Sequence, residues 1–174
     1  DGAPAQMVIH APTQAGRYAV IVFHHGFLIA NNLYSQLLSR VASHGFIVVA
    51  PQMHPGDGIP FGKPGPFEDA ELEASVLAWL PDHLDGLIDA TPAMDRVGLM
   101  GHSRGGKSTW IVLEEDATAG RNNDIPQITT EPFAFGLPSL IIGTGLGPVP
   151  NFLGEACAPE GENSVGFFNS STAR

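Results

Sequence analysis

The sequence predicts an α/β domain: a mostly parallel sheet flanked by helices. Three observations carry this. Short apolar runs alternate with helix-period patterns along the chain. Several of those runs are apolar throughout, as strands buried on both faces are. A glycine-flanked serine stands where one such run gives way to a helix. The 174 residues are one domain's worth, read as a single domain over 1–174, and a chain that size buries about 70% of its unfolded surface.

Strands are predicted at 7–9, 19–23, 46–50, 96–100 and 139–142, the second, third and fifth apolar throughout. The first helix spans 33–44, with Leu33, Leu37, Leu38 and Val41 on one face and Gly45 as its stop. The second spans 68–89 and carries Leu72, Val76, Leu77, Leu80, Leu84, Leu87 and Ile88 on one side. Pro81 inside it should kink or break it. A third begins at Ser103 and turns Trp110, Ile111 and Leu113 inward. Residues 52–66, 117–137 and 143–166 read as loops, which is much irregular chain for so short a domain.

Composition excludes several classes. Eight Lys+Arg face eighteen Asp+Glu, for a net charge of −10, so no basic footprint for nucleic acid exists. Charge-driven binding to an anionic membrane is excluded likewise, but apolar contact is not. Hydrophobic residues at 43% against 15% charged exclude wholesale disorder. A lone cysteine, Cys157, rules out an internal disulfide. No apolar run is long enough to span a bilayer as a helix.

Gly101-His102-Ser103-Arg104-Gly105 fits G-x-S-x-G between a buried strand and a helix. Such a turn thrusts the hydroxyl clear of the sheet at a helix N-terminus, where unpaired N–H groups favour developing negative charge. The alternative is that Ser103 merely caps the helix. The nucleophile reading requires the 96–100 strand to lie inside the sheet rather than at its edge. An oxyanion needs two N–H donors. One is the amide of Arg104; the other is expected from His24-His25-Gly26-Phe27, with Phe27 as donor.

These residues resemble the chlorophyllase family of α/β-hydrolases. The resemblance is carried by His25-Gly26-Phe27, Tyr34-Ser35-Gln36-Leu37-Leu38, residues 42–52, Trp79-Leu80-Pro81, Gly101-His102-Ser103-Arg104-Gly105-Gly106-Lys107, Ile142-Gly143-Thr144-Gly145-Leu146-Gly147 and Cys157-Ala158-Pro159. It implies an α/β-hydrolase fold and hydrolysis of chlorophyll to chlorophyllide and phytol through an acyl-enzyme, without cofactor. It also implies an apolar ester substrate, weak association with the photosynthetic membrane, and a plastid or a cytoplasmic, thylakoid-associated location. Oligomeric state stays open. The alternatives are a general esterase, cutinase-like or polyester hydrolase, and a catalytically inactive pigment- or lipid-binding module. The apolar Phe61 in the 59–66 loop suits a greasy ester but also an ordinary surface loop.

The triad is incomplete in this sequence. Chain order in this fold is serine, acid, histidine, yet His10, His24, His25, His44, His54, His83 and His102 all precede Ser103. The catalytic histidine is therefore not expected in this chain. Asp116, opening Asp116-Ala117-Thr118-Ala119-Gly120, resembles the family's acid; Asp124 is the next candidate, and Glu114-Glu115-Asp116 also reads as a plain helix end. The expectation is an incomplete fold, with both ends cut, a break and a missing strand within 114–118, and the histidine-bearing part absent. No metal site is expected: His24 and His25 should face opposite ways, and His54-Pro55-Gly56-Asp57 is turn chemistry. No G-x-G-x-x-G opens a helix after a strand.

Overall fold

A computed structural model of the chain describes residues 2–53, 65–118 (side chains to 113), 138–143, 147, 149–150, 156, 158, 160–161 and 163–171. The chain divides into two compact units, Asp1–Val112 and Leu113–Arg174.

The first unit is a four-stranded sheet with helices on both faces. Its strands are β1 (Met7–His10), β2 (Arg17–His24), β3 (Phe46–Pro51) and β4 (Thr91–Gly101), in the order β1-β3-β2-β4. β1 is antiparallel to β3, while β3 and β4 both run parallel to β2. From β2 the chain crosses one way to β3 through a 3-10 turn (Asn31–Tyr34) and α1 (Ser35–Ala42). From β3 it crosses back over β2 to β4 through α2 (Pro66–His83) and a 3-10 turn (Leu84–Leu87). Two right-handed crossovers travelling in opposite directions place their helices on opposite faces.

The core shows this alternation. Val20 and Val22 of β2, with Ile47 and Val49 of β3, pack with Val76, Leu80 and Leu84 of the second crossover. The next residues along each strand, Phe23, Val48 and Ala50, pack on Leu38 and Ala42 of α1. Each large apolar side chain fully withdrawn this way stabilises by about 1.5–3 kcal/mol.

The elements differ from the sequence reading in several places. The helix predicted at 33–44 is split, with residues 31–34 in a tighter 3-10 turn. There the Asn31 side chain donates to the Ala50 carbonyl at 2.8 Å and the Asn31 amide to Gln52 Oε1 at 2.9 Å. α1 ends at Ala42, and Gly45, whose φ of 88° suits glycine, closes the turn after it by donating its amide to the Ala42 carbonyl. Pro81 does not break α2 at once, since the helix runs two residues past it before passing into the 3-10 turn. β4 starts at Thr91, and a register shift between Ala19 and Val20 takes up the extra residues, moving the partner from Ala93 to Val97.

β4 is also the end strand of the described sheet, pairing with β2 alone. The expectation of an interior 96–100 strand is therefore not met among the described residues. An interior place for that strand is too strict a requirement for the serine turn: the His102 amide donates to the His24 carbonyl, so the end of β2 holds the turn without a second neighbour of β4.

α3 (Arg104–Thr118) follows β4 after the two-residue turn His102-Ser103 and runs unbroken to Thr118. The break expected within 114–118 is thus replaced by continuous helix, and Asp116 lies in its last turn, its side chain outside the described residues.

In the second unit, the strand predicted at 139–142 is irregular, with Leu140 86% and Ile142 77% exposed. A strand persists only by pairing, and no described residue pairs with it. Ser139 Oγ instead lies 3.0 Å from Ser171 Oγ, and Gly143 sits against Ser164. α4 (Ser164–Ser170), read as partly loop from sequence, starts at Asn163, whose side chain accepts from the Val165 and Gly166 amides. Among the described residues no helix is long and apolar enough to cross a membrane.

Candidate active site

The register of β2 against β4 sets His24 opposite Gly101, so the loops leaving these two strands are neighbours. They emerge where the strand order reverses about β2, the position at which open α/β sheets form a crevice.

The turn after β4 is held tightly. The His102 amide donates to the His24 carbonyl at 3.1 Å, and the Gly105 amide to the His102 carbonyl at 2.9 Å. Ser103 is exposed, with φ of 54°, a left-handed conformation that costs an L-residue roughly 1–2 kcal/mol. A Cβ at Gly105 would lie 2.2 Å from the His24 carbonyl oxygen and 2.5 Å from that of His25; one at Gly101 would lie 2.5 Å from Gly105 backbone. The glycines of G-x-S-x-G are thus sterically required, backbone against backbone.

The loop after β2 is a second strained turn. The Ile29 amide donates to the Gly26 carbonyl at 3.3 Å, and Leu28 has φ of 58°. Tyr34 ties the two turns together, its hydroxyl accepting from the Gly26 amide at 3.2 Å and lying 2.7 Å from His102 Nδ1. His102 therefore points to Tyr34.

His25 is committed elsewhere. Its Nδ1–H donates to the Gly26 carbonyl at 2.8 Å, leaving Nε2 to accept from the Met53 amide at 3.0 Å and from Gln52 at 2.9 Å. Burial, the largest cause, holds its pKa below the ordinary value, joined by the nearby His24 and Arg104 and opposed by the Gly26 carbonyl. His24 turns instead to α2, its Nδ1 2.9 Å from Glu73 Oε2. Among the described residues no imidazole hydrogen-bonds Ser103 Oγ.

The side chains of both predicted oxyanion donors meet: the Arg104 guanidinium carbon lies 4.6 Å from the centre of the Phe27 ring. Arg104 Nε also donates to Asp69 Oδ2 at 2.8 Å. Asp69 and Glu73 are the residues the sequence reading missed. Their signal was phase, since positions 69, 73, 76 and 80 form one stripe of α2, and carboxylates occupy the first two places of an otherwise apolar line. Asp124, His54, Asp57, Phe61 and Cys157 lie outside the described residues.

A strained serine at the mouth of the parallel part of the sheet, beside a tight turn from the neighbouring strand, defines an α/β-hydrolase. Solved structures agree on that fold. Esterase B from Lactobacillus rhamnosis superposes with a TM-score of 0.52 at 18% identity, over 63% of this chain and 34% of its own. A protein described as a dienelactone hydrolase from Klebsiella pneumoniae does so with a TM-score of 0.52 at 19% identity, over 64% and 51%. The profile of the chlorophyllase family matches residues 1–123 and 112–174, and the chain belongs to that family. It is 38% identical to chlorophyllase-1, chloroplastic, of Citrus unshiu over 181 positions, covering 95% of this chain and 54% of the Citrus protein. With chlorophyllase-2 of Arabidopsis thaliana it shares 34% identity, over 95% and 58% respectively. The chain spans about half the length of the curated relatives it matches.

Proposed function

We propose that this chain carries the nucleophile of a serine carboxylic-ester hydrolase that cleaves the phytyl ester of chlorophyll. One observation carries the reading: Ser103 is held at φ 54° in a turn whose glycines leave no room for a Cβ. A serine that only caps a helix takes extended backbone, so capping does not account for this strain, and presentation of a nucleophile does.

In the first step Ser103 Oγ attacks the ester carbonyl carbon and its proton passes to a histidine. The carbonyl electrons move onto oxygen, which the Phe27 and Arg104 amides hold. Collapse expels phytol, which takes the proton. Water then attacks the acyl-enzyme, gives a proton to the histidine, and releases chlorophyllide as Ser103 recovers its hydrogen. All seven histidines precede Ser103, so the base is assigned to the part of the enzyme that the relatives have beyond this half.

Asp116 is assigned as the acid that orients the base. The two stretches of the family match overlap at 112–123, so both of them include Asp116.

The names of the Citrus and Arabidopsis relatives support chlorophyll as substrate and, for the Citrus protein, the plastid as location. Phe27, Leu28, Leu33 and Leu37 are large apolar side chains left exposed on the loop and helix beside the elbow. They suit a greasy ester and light contact with the photosynthetic membrane. In the full-length protein, Ser103→Ala should lower ester turnover on the order of 10⁴–10⁶-fold with pigment affinity retained. Near-normal turnover by the variant would remove Ser103 from the mechanism. Pigment affinity with no turnover by the unsubstituted protein would make it a binding module, and preference for short acyl esters a general esterase.

A further inference from the structure

Helix α2 buries two carboxylates where its stripe calls for apolar side chains. Asp69 is 1% exposed and Glu73 0%. Desolvation, the largest cause, raises the Asp69 pKa above the ordinary carboxylate value, with Arg104 and His24 opposing it. Buried ion pairs recover their desolvation cost poorly, and well-packed apolar groups in their place are often as stable or more so. Stability alone therefore gives no reason for this pair.

Geometry does. Asp69 Oδ2 accepts from Arg104 Nε, and the guanidinium that it fixes lies over the Phe27 ring. Arg104 and Phe27 are the residues whose backbone amides are assigned to the oxyanion. One turn along α2, Glu73 holds His24 Nδ1 at 2.9 Å and lies 3.3 and 3.4 Å from Thr109 Oγ1. The backbone of His24 in turn receives the His102 amide and limits the approach of Gly105. The two carboxylates thus grip both sides of the crevice: Asp69 the donor residues, Glu73 the strand end and helix beneath them.

We propose that Asp69 and the Arg104 side chain are positioning residues of this hydrolase, clamping the Phe27 and Arg104 amides at the spacing the oxyanion needs. The proposal rests on the nucleophile reading of Ser103 and adds a role for side chains that the acyl-transfer steps do not use. Neither Asp69 nor the guanidinium touches the reacting atoms. Their effect should fall on the transition state, because a donor misplaced by a fraction of an ångström weakens the oxyanion far more than the ground-state ester.

The test uses the full-length protein and steady-state hydrolysis of a p-nitrophenyl ester and of chlorophyll. Three variants are compared: Asp69→Asn, which removes the charge but keeps the shape; Arg104→Met, which removes the guanidinium but keeps the amide; and Phe27→Leu, an exposed position whose folding is safe. The expected result is kcat lowered about 10–100-fold for Asp69→Asn and Arg104→Met, with KM changed less than about twofold. Phe27→Leu should show a smaller loss in the same parameter. Reaction of Ser103 with a phosphonate, which places an anionic oxygen in the same site, should slow in parallel. Soluble, folded Arg104→Met and Phe27→Leu proteins with unchanged kcat would overturn the proposal, even if Asp69→Asn failed to fold. So would a loss confined to thermal stability or to KM. Ser103→Ala is run alongside: if it stays active, the nucleophile reading falls, whereas an inactive Ser103→Ala with unaffected clamp variants refutes only the clamp.

Discussion

If the proposed ester hydrolysis holds, Gly105→Ala should lower turnover by a route that does not touch any reacting group. The new Cβ would lie 2.2 Å from the His24 carbonyl oxygen, 2.5 Å from that of His25 and 2.6 Å from the His24 carbonyl carbon. Ordinary contact begins near 3.4 Å, so the start of α3 and the end of β2 must part by roughly 1 Å. Neither is a flexible side chain that can swing away. The His102 amide bond to the same His24 carbonyl, now 3.1 Å, would be stretched with it. Overpacking of this kind costs about 1–3 kcal/mol, and a shift near 1 Å at a catalytic centre costs about 10²-fold in rate. The neighbouring Gly106 is the control, because its Cβ would stand 3.5 Å from the Gly101 oxygen and 3.7 Å from its carbonyl carbon. Gly106→Ala should fold with equal or slightly greater stability, by about 0.4–1 kcal/mol, and keep its turnover. The assay is kcat/KM on a p-nitrophenyl ester with urea unfolding of each full-length variant. Equal activity of the two alanine variants would refute the close-approach argument.

Two further perturbations follow from the same geometry. Tyr34→Phe strips the buried Gly26 amide of its acceptor and His102 Nδ1 of its partner, which should cost about 1–3 kcal/mol; unfolding within about 0.5 kcal/mol of the parent would show that the tie is idle. His25 titrates below its ordinary value of 6.5 in the folded chain, so on acidification the unfolded chain takes up the proton first. Its share of stability is complete above pH 6.5 and is lost as pH falls from there through the lowered folded value. His25→Gln cannot titrate, so its stability deficit should narrow between pH 7.5 and pH 5 in urea unfolding, and parallel curves for the two proteins would contradict this.

The sequence by itself determined the elements that local pattern dictates. Four of the five predicted strands stand near their expected places, because 19–23 and 46–50 are apolar on both faces and fit only a covered sheet. The serine turn was legible for a similar reason: two glycines at fixed offsets between a strand and a helix have few other uses. What sequence could not decide was pairing. Residues 139–142 look as strand-like as 46–50, yet a strand exists only where another backbone offers its N–H and C=O groups, and no described residue offers them. The place of β4 at the end of the described sheet is likewise a property of neighbours. Asp69 and Glu73 showed in the sequence only as two carboxylates in phase with an apolar stripe. A carboxylate on a helix ordinarily faces water, and the packing of α2 against β2 and α3 is what turns these two inward. The strain at Ser103 is tertiary as well. The residue letters permit that backbone, but the carbonyls of His24 and His25 pressed against Gly105 impose it.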